Sequence, residues 1–298
     1  MVTRTDYFKL HFIVFLWGFS GILGKLVSIP AYEMVLYRTL LSAIGIAMVM
    51  FFVNETFRVS SKQFVTLTLI GFIVAIHWLA FFESARISNV SVSLVGFATN
   101  SLWTALLDPL FNRTSIKKFE LILGLVVIFG LYIIFSFNFQ YPLGLLVGVL
   151  AGFTSALFSI FNARMVRNVP AFTISLYEMM GAFIFLTLLL PIYKMSWASN
   201  QTLQLLPGIM DWVYMIILSG ACSVYAYTTA VELMKKVSVF LIQLTLNLEP
   251  VYGIIMAVII FGAEEKMGLN FYVGTLIILS AVASYPFLKR KYDRQFTV

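Results

Sequence analysis

Apolar stretches of about 20 residues, each long enough to cross roughly 30 Å of hydrocarbon as a helix, follow one another along this chain with short polar breaks. Ten can be read, at approximately 8–27, 32–53, 64–83, 90–111, 119–136, 142–163, 172–193, 211–231, 237–261 and 269–288. The pattern predicts ten membrane-spanning helices and no separate water-soluble domain. The longest break, around Ser196 to Gly208, is polar, contains Trp197 and Pro207, and leads to Trp212. Such a segment belongs at a membrane interface.

The runs also repeat. Pro30-Ala31-Tyr32 with Leu36-Tyr37-Arg38 returns as Pro170-Ala171-Phe172 with Leu176-Tyr177-Glu178, and Val90-Ser91-Val92 with Asn100 returns as Val237-Ser238-Val239 with Asn247. This divides the chain into residues 1–138 and 139–298, with five spans in each. A unit with an odd number of spans must insert its second copy upside down. The expected fold is therefore an all-α membrane protein of two inverted five-helix repeats, the architecture of alternating-access carriers.

Composition agrees with lipid as the solvent. Of the 298 residues, 61% are hydrophobic and 11% charged, against about 25% charged in ordinary soluble domains. The formal charge of +7 would suggest nucleic acid in a soluble protein, but its distribution reads as topology. With both termini on one side, that side holds Arg4, Lys9, Arg58, Lys62, Arg113, Lys117, Lys118, Arg164, Arg167, Lys235, Lys236, Lys289, Arg290, Lys291 and Arg294, fifteen of the twenty basic residues. Basic loops mark the cytoplasmic face, which predicts cytoplasmic termini and no nucleic-acid partner. Equivalent loops swap character, Arg113 to Lys118 in one half answering Glu264-Glu265-Lys266 in the other. Arg4 and Lys9 ahead of an apolar run resemble a signal peptide, but without a convincing small-residue cleavage site the run reads as a retained first span. Cys222 is the single cysteine, which excludes a disulfide framework and a thiolate-rich metal site.

Trp17-Gly18 with Gly24-Lys25, Tyr37-Arg38, His77-Trp78 with Phe81-Phe82, Leu248-Glu249-Pro250-Val251-Tyr252, and Gly262 to Glu265 together resemble the drug/metabolite transporter (DMT) superfamily, in particular its EamA-type family. The resemblance covers essentially the whole chain. It implies an inner-membrane carrier, usually an exporter of amino acids or other small metabolites. It also implies a substrate cavity between the repeats, with spans 5 and 10 at the periphery. It leaves the substrate itself open.

Ionisable groups inside hydrocarbon normally face a cavity or a partner. Lys25, Glu83, Asp108 and Glu232 sit near span ends, where side chains reach the headgroups. Glu249 lies near the centre of span 9, and the following Pro250 lacks the N–H that would complete the helix, favouring a kink there. That combination suits a substrate amine or a proton relay; the structural alternative is a buried carboxyl bracing two helices. His77 can change charge near neutral pH and could carry a coupling proton with Glu249, or line a cavity without titrating. Asn100 and Asn247 are expected as paired amides at the pseudo-symmetry axis, with Gln243 one turn before Asn247 extending the polar stripe. Trp17, Tyr37, Trp78, Trp103, Tyr177 and Tyr225 are expected as lining aromatics. Arg38 could bind a substrate carboxylate, or hold helix carbonyls and Glu33. The expected substrate-binding set is thus Glu249, Asn247, Gln243, Asn100, His77, Trp78, Trp17, Tyr37 and Tyr177. Gly144, Gly148, Gly152 and Ala156 form a small-residue ridge on span 6 that allows another helix to approach.

Two other functions find some support in the sequence. Gly18-Phe19-Ser20-Gly21 matches the pattern around an intramembrane protease serine, with His77 as base, but the match is four residues long and the duplicated plan differs. A channel or facilitated-diffusion pore is the nearer rival, separated from a carrier by the absence of saturation and counterflow. No metal-protease, P-loop or dinucleotide motif is present, so no cofactor and no catalytic residue are expected. The partners expected are a small-molecule substrate, the lipid bilayer and a coupling proton.

Overall fold

A computed structural model describes residues 2–135, 141–198, 201–261 and 268–296. Gly262 to Lys266, the side chain of Lys25 and the boundary expected between 138 and 139 lie outside the described residues. The first half holds α1 (Arg4–Leu26), α2 (Ala31–Phe52), α3 (Ser61–Ile87), α4 (Val90–Phe97), α5 (Asn100–Asn112) and α6 (Lys118–Phe135). The second holds α7 (Pro142–Met165), α8 (Ala171–Ser196), α9 (Ile209–Ile217), a π-helical segment (Leu218–Tyr225), α10 (Ala226–Leu233), α11 (Val239–Leu246), α12 (Glu249–Phe261) and α13 (Leu269–Phe296). Seven helical stretches among the described residues are long and apolar enough to cross a membrane.

Local signals start these helices at matching places in the two halves. Pro30 and Pro170 precede α2 and α8, where the fixed proline φ suits a helix entry and no N–H is wasted. Thr3 and Ser60 close capping boxes on α1 and α3. Asn89 and Ser238 cap α4 and α11 by accepting from the Val92 and Leu241 N–H groups.

Spans 4 and 9, the second of which the sequence predicts to kink at Glu249-Pro250, are both interrupted. Each is broken into a helix of 8 residues and one of 13, with two residues between. In span 9 the break falls just before Pro250, which cannot donate to the carbonyl a turn behind it. Span 4 has no proline there. Its break is held by Thr99, whose hydroxyl donates to the Gly96 carbonyl at 2.7 Å, and by α7 pressing on it. A Cβ on Gly152 would stand 2.6 Å from Thr99 Oγ1 and 2.8 Å from the Phe97 carbonyl oxygen. The breaks make Asn100 and Glu249 the first residues of α5 and α12, a register two residues away from the one that matches Asn100 to Asn247.

The two halves interleave. The helix α1 packs on α10 and α12, α7 packs on α3, α4 and α5, α2 packs on α8, and α6 pairs with α13. The glycine ridge of α7 meets Ser88, Ser93, Gly96 and Thr99, so close helix approach is its role. On one face, Asp6 pairs with Lys236 at 3.4 Å, and Tyr285 near the chain end contacts Ser238 and Glu120. This is the terminal face. On the opposite face, Asp211 accepts from the Ser28 N–H and hydroxyl at 2.8 and 2.7 Å, tying the start of α9 to the turn after α1.

Candidate functional site

Backbone breaks in the middle of a bilayer are tolerated where they face protein or a polar cavity. Here a cavity of about 70 Å³ lies against them, walled by α1, α2, α3, α4, α7, α10, α11 and α12. That is space for several waters. A second, larger space of about 760 Å³ extends from Gly18, Gly21 and Glu249 at mid-depth to Ser28, Arg86 and Asn89 on the face opposite the termini. Phe81, Phe82 and Glu249 border both spaces. They therefore form the partition between a wide vestibule and the central cavity.

Glu249 starts α12 and is 7% exposed. Among the described residues its carboxylate has neither a hydrogen-bond partner nor an ion pair. Arg38 lies in the same wall, 3% exposed. Its Nε donates to Ser223 Oγ at 3.0 Å, and its guanidinium carbon lies 3.9 Å from the Trp78 ring centroid. No carboxylate of the described residues is within ion-pair distance of Arg38. Of the two roles open to it from sequence, the contact with Glu33 is not formed. Glu33 instead accepts from Tyr193 OH at 3.0 Å and the Gln204 N–H at 3.2 Å.

The π segment supplies two of these contacts. Widening the helix turn frees backbone groups from the regular ladder, and the Cys222 carbonyl accepts from Trp17 Nε1 at 2.9 Å. Ser223, next in sequence, holds Arg38. A π segment thus positions both an aromatic and a cation of the cavity wall.

His77 Nδ1 is 2.8 Å from the Ala151 carbonyl oxygen. A carbonyl only accepts, so Nδ1 carries the hydrogen, and in the neutral ring Nε2 remains an acceptor. The ring sits among Phe81, Phe97 and Phe158. Gln243 donates to Ser159 Oγ at 2.7 Å and accepts from Ser155 Oγ at 3.2 Å. Deeper toward the terminal face, Tyr227 OH donates to Glu178 Oε2 at 2.7 Å, and Asn162 Nδ2 donates to the same oxygen at 3.3 Å.

Of the nine expected residues, the cavity brings together Trp17, His77, Trp78, Gln243 and Glu249. Asn100 and Asn247 lie behind this wall, Asn247 Nδ2 donating to Asn100 Oδ1 at 3.4 Å. Tyr37 and Tyr177 border neither space. Each instead donates to a loop carbonyl near its own face, Tyr37 to Leu205 at 2.7 Å and Tyr177 to Phe57 at 2.8 Å. A phenol two turns into a helix reaches the interface, and its hydroxyl finds a backbone acceptor there. Arg38, Asn162, Tyr227, Ser155 and Ser159 also line the cavity and are absent from the expected set. The polar spacing Ser155, Ser159, Asn162 on an otherwise small and apolar helix was the available signal.

The EamA-like transporter family model matches residues 7–136 and 142–285, one copy in each half. A curated relative described as an uncharacterized transporter of Synechocystis sp. is 23% identical over 225 residues, 72% of this chain. The match spans 62% of that relative's length. A crystal structure superposes with a TM-score of 0.77 at 13% identity, covering 96% of this chain and 99% of its own. At that identity the likeness speaks for the fold.

Proposed function

This chain belongs to the EamA-like transporter family, and we propose that it is a secondary transporter exporting amino acids or related amines by alternating access. The observation that carries this reading is the pair Glu249 and Arg38. Two groups of opposite charge type face one cavity, and among the described residues neither is within ion-pair distance of an opposite charge. Each acts on the other only through space, without direct contact, and a charge left without a direct partner at this depth is costly. A zwitterion supplies both missing partners, its ammonium to Glu249 and its carboxylate to Arg38. The remaining wall, with Trp17, Trp78, Phe81, Phe97 and Phe158, favours a substrate whose side chain is apolar or aromatic.

Alternating access is supported by the arrangement of the two spaces. With the basic terminal face cytoplasmic, the vestibule opens outward and ends on Phe81, Phe82 and Glu249, while Tyr227, Met234 and Asn162 line the inward side. Movement of α1 and α12 against α3 and α4 would exchange the two openings. Export, placement in the inner membrane and cytoplasmic termini follow the family resemblance and the loop charges. A family of transporters leaves no ground for the hydrolase reading. Ser20 and His77 line one cavity, but the hydrogen bond that His77 makes among the described residues is to the Ala151 carbonyl and not to Ser20.

Counterflow tests this directly. Proteoliposomes loaded with single amino acids, amines or nucleosides, without an ion gradient, are expected to accumulate a labelled amino acid or amine transiently and saturably. Flux without saturation or counterflow would support a channel and overturn the proposal.

A further inference from the structure

Glu178 is wholly buried on α8, and both hydrogen bonds it receives fall on Oε2. Among the described residues its Oε1 has no hydrogen-bond partner, and neither has Oδ1 of the equally buried Asn162 beside it. An ionised carboxylate with one bare oxygen in this setting is expensive. What the cluster lacks is one hydrogen. A carboxyl protonated on Oε1 becomes a donor, and the neighbouring amide oxygen is an unused acceptor.

The surroundings offer no other counter-charge. The elements packed around this part of α8 are α2, α3 and α10, with α7 contributing Asn162. The α10 helix presents Tyr227, and its Glu232 pairs with Lys235. From α3, Gly71 sits against the Glu178 backbone, while His77 is tied to Ala151. From α2, Arg38 is engaged with Trp78 and Ser223, and Glu33 is held by Tyr193 and Gln204. No basic side chain of the described residues comes within ion-pair distance of Glu178.

The cluster nonetheless touches the transport route. Asn162 and Tyr227 line the central cavity, and the Tyr227 ring stands nearly perpendicular to Trp78 at 6.4 Å between centroids, the ring over which Arg38 sits. We propose that Glu178, with Asn162 and Tyr227, is a proton-binding site separate from Glu249, loaded from the terminal-face side of the cavity. Glu249 then serves the substrate amine and Glu178 the proton, so the two cargoes do not compete for one carboxylate. Tyr227 and Trp78 connect the sites: a proton on Oε1 turns the Oε2 acceptor of Tyr227 OH from a carboxylate oxygen into a neutral carboxyl oxygen. The coupling role rests on the carrier reading. The proton site itself does not.

Infrared spectra of the full protein in lipid, recorded across pH in sodium and in choline chloride, test the site. The expected result is a protonated-carboxyl carbonyl band that bleaches as pH rises, is lost in Glu178→Gln, and survives in Glu249→Gln. Tyr227→Phe, which keeps the volume, must move the midpoint of that bleaching, and it serves where Glu178→Gln does not fold. A Glu178→Gln spectrum superimposable on the wild type, or an unmoved midpoint in Tyr227→Phe, would overturn the proposal. So would bleaching by sodium at constant pH, which would make this a sodium site. Failure here is distinguishable from failure of the carrier reading, which gradient-free counterflow decides by itself.

Discussion

The Arg38 guanidinium carbon stands over Trp78, 3.9 Å from the ring centroid, while its Nε is held by Ser223. The ring contact and the single hydrogen bond hold the cation in place and leave its other donors for the cavity that Glu249 also faces. A lysine ammonium has neither the planar face nor the fork of a guanidinium. Arg38→Lys is expected to weaken transport of a carboxylate-bearing substrate by about 1–2 kcal/mol, near tenfold in half-saturation. An amine without a carboxylate should be affected far less. Paired measurements of the two half-saturation constants check this.

Close backbone approach predicts a sharp contrast among glycines. A Cβ on Gly152 would meet Thr99, Phe97 and Asn100 of the broken span, and one on Gly18 would stand 2.9 Å from the Glu249 carbonyl oxygen. Gly21 has nothing within 4 Å. Gly152→Leu should cost roughly 1–3 kcal/mol through overpacking, seen as a lower melting temperature in detergent, whereas Gly21→Ala should melt like the parent.

The vestibule predicts a pattern of labelling. In a Cys222→Ala background, Gly21→Cys and Ala85→Cys border the wide space on the face opposite the termini, and Ser159→Cys borders only the inner cavity. A membrane-impermeant thiol reagent added on that face should modify the first two much faster than the third. Equal rates at all three would remove the partition at Phe81, Phe82 and Glu249.

The amide pair at the centre gives a thermodynamic test. Asn247 Nδ2 donates to Asn100 Oδ1 at 3.4 Å, joining α5 to the end of α11 across the halves. Polar contacts between membrane helices average about 0.6 kcal/mol, with a maximum near 1.7. A double-mutant cycle of Asn100→Leu and Asn247→Leu, read by unfolding in mixed micelles, should return a coupling energy in that range. Strict additivity would mean that the pair does not hold the halves together.

The positions of the helices were legible in the sequence because lipid imposes one strong rule, about twenty apolar residues per crossing. The proline before α2 and α8, and the central Glu249-Pro250, were legible for the same reason: each has a local cost. The break in span 4 was not, since no residue there forces it and α7 enforces it from outside. Tyr37 and Arg38 show the second limit. They are adjacent, yet 100° apart around the helix, so one reaches a surface loop and the other the cavity. Hydrophobicity alone does not choose between those faces when the whole helix is apolar. Asn162 and Tyr227 escaped because neutral polar side chains carry a small insertion cost and stand out little among apolar neighbours.

The central claim is that Glu249 and Arg38 receive opposite ends of one substrate, and the most direct measurement crosses ligand with mutant. Half-saturation for counterflow would be measured for an amino acid, its methyl ester and its desamino analogue, in the wild type, Glu249→Gln and Arg38→Gln. Truncating one partner of a buried charge pair costs about 2–5 kcal/mol, so the account predicts roughly 30-fold or more lost when either the ammonium or Glu249 is removed, and little further loss when both are. The ester and Arg38 should behave in the same way. Independent, additive losses for amine and Glu249 would contradict the account.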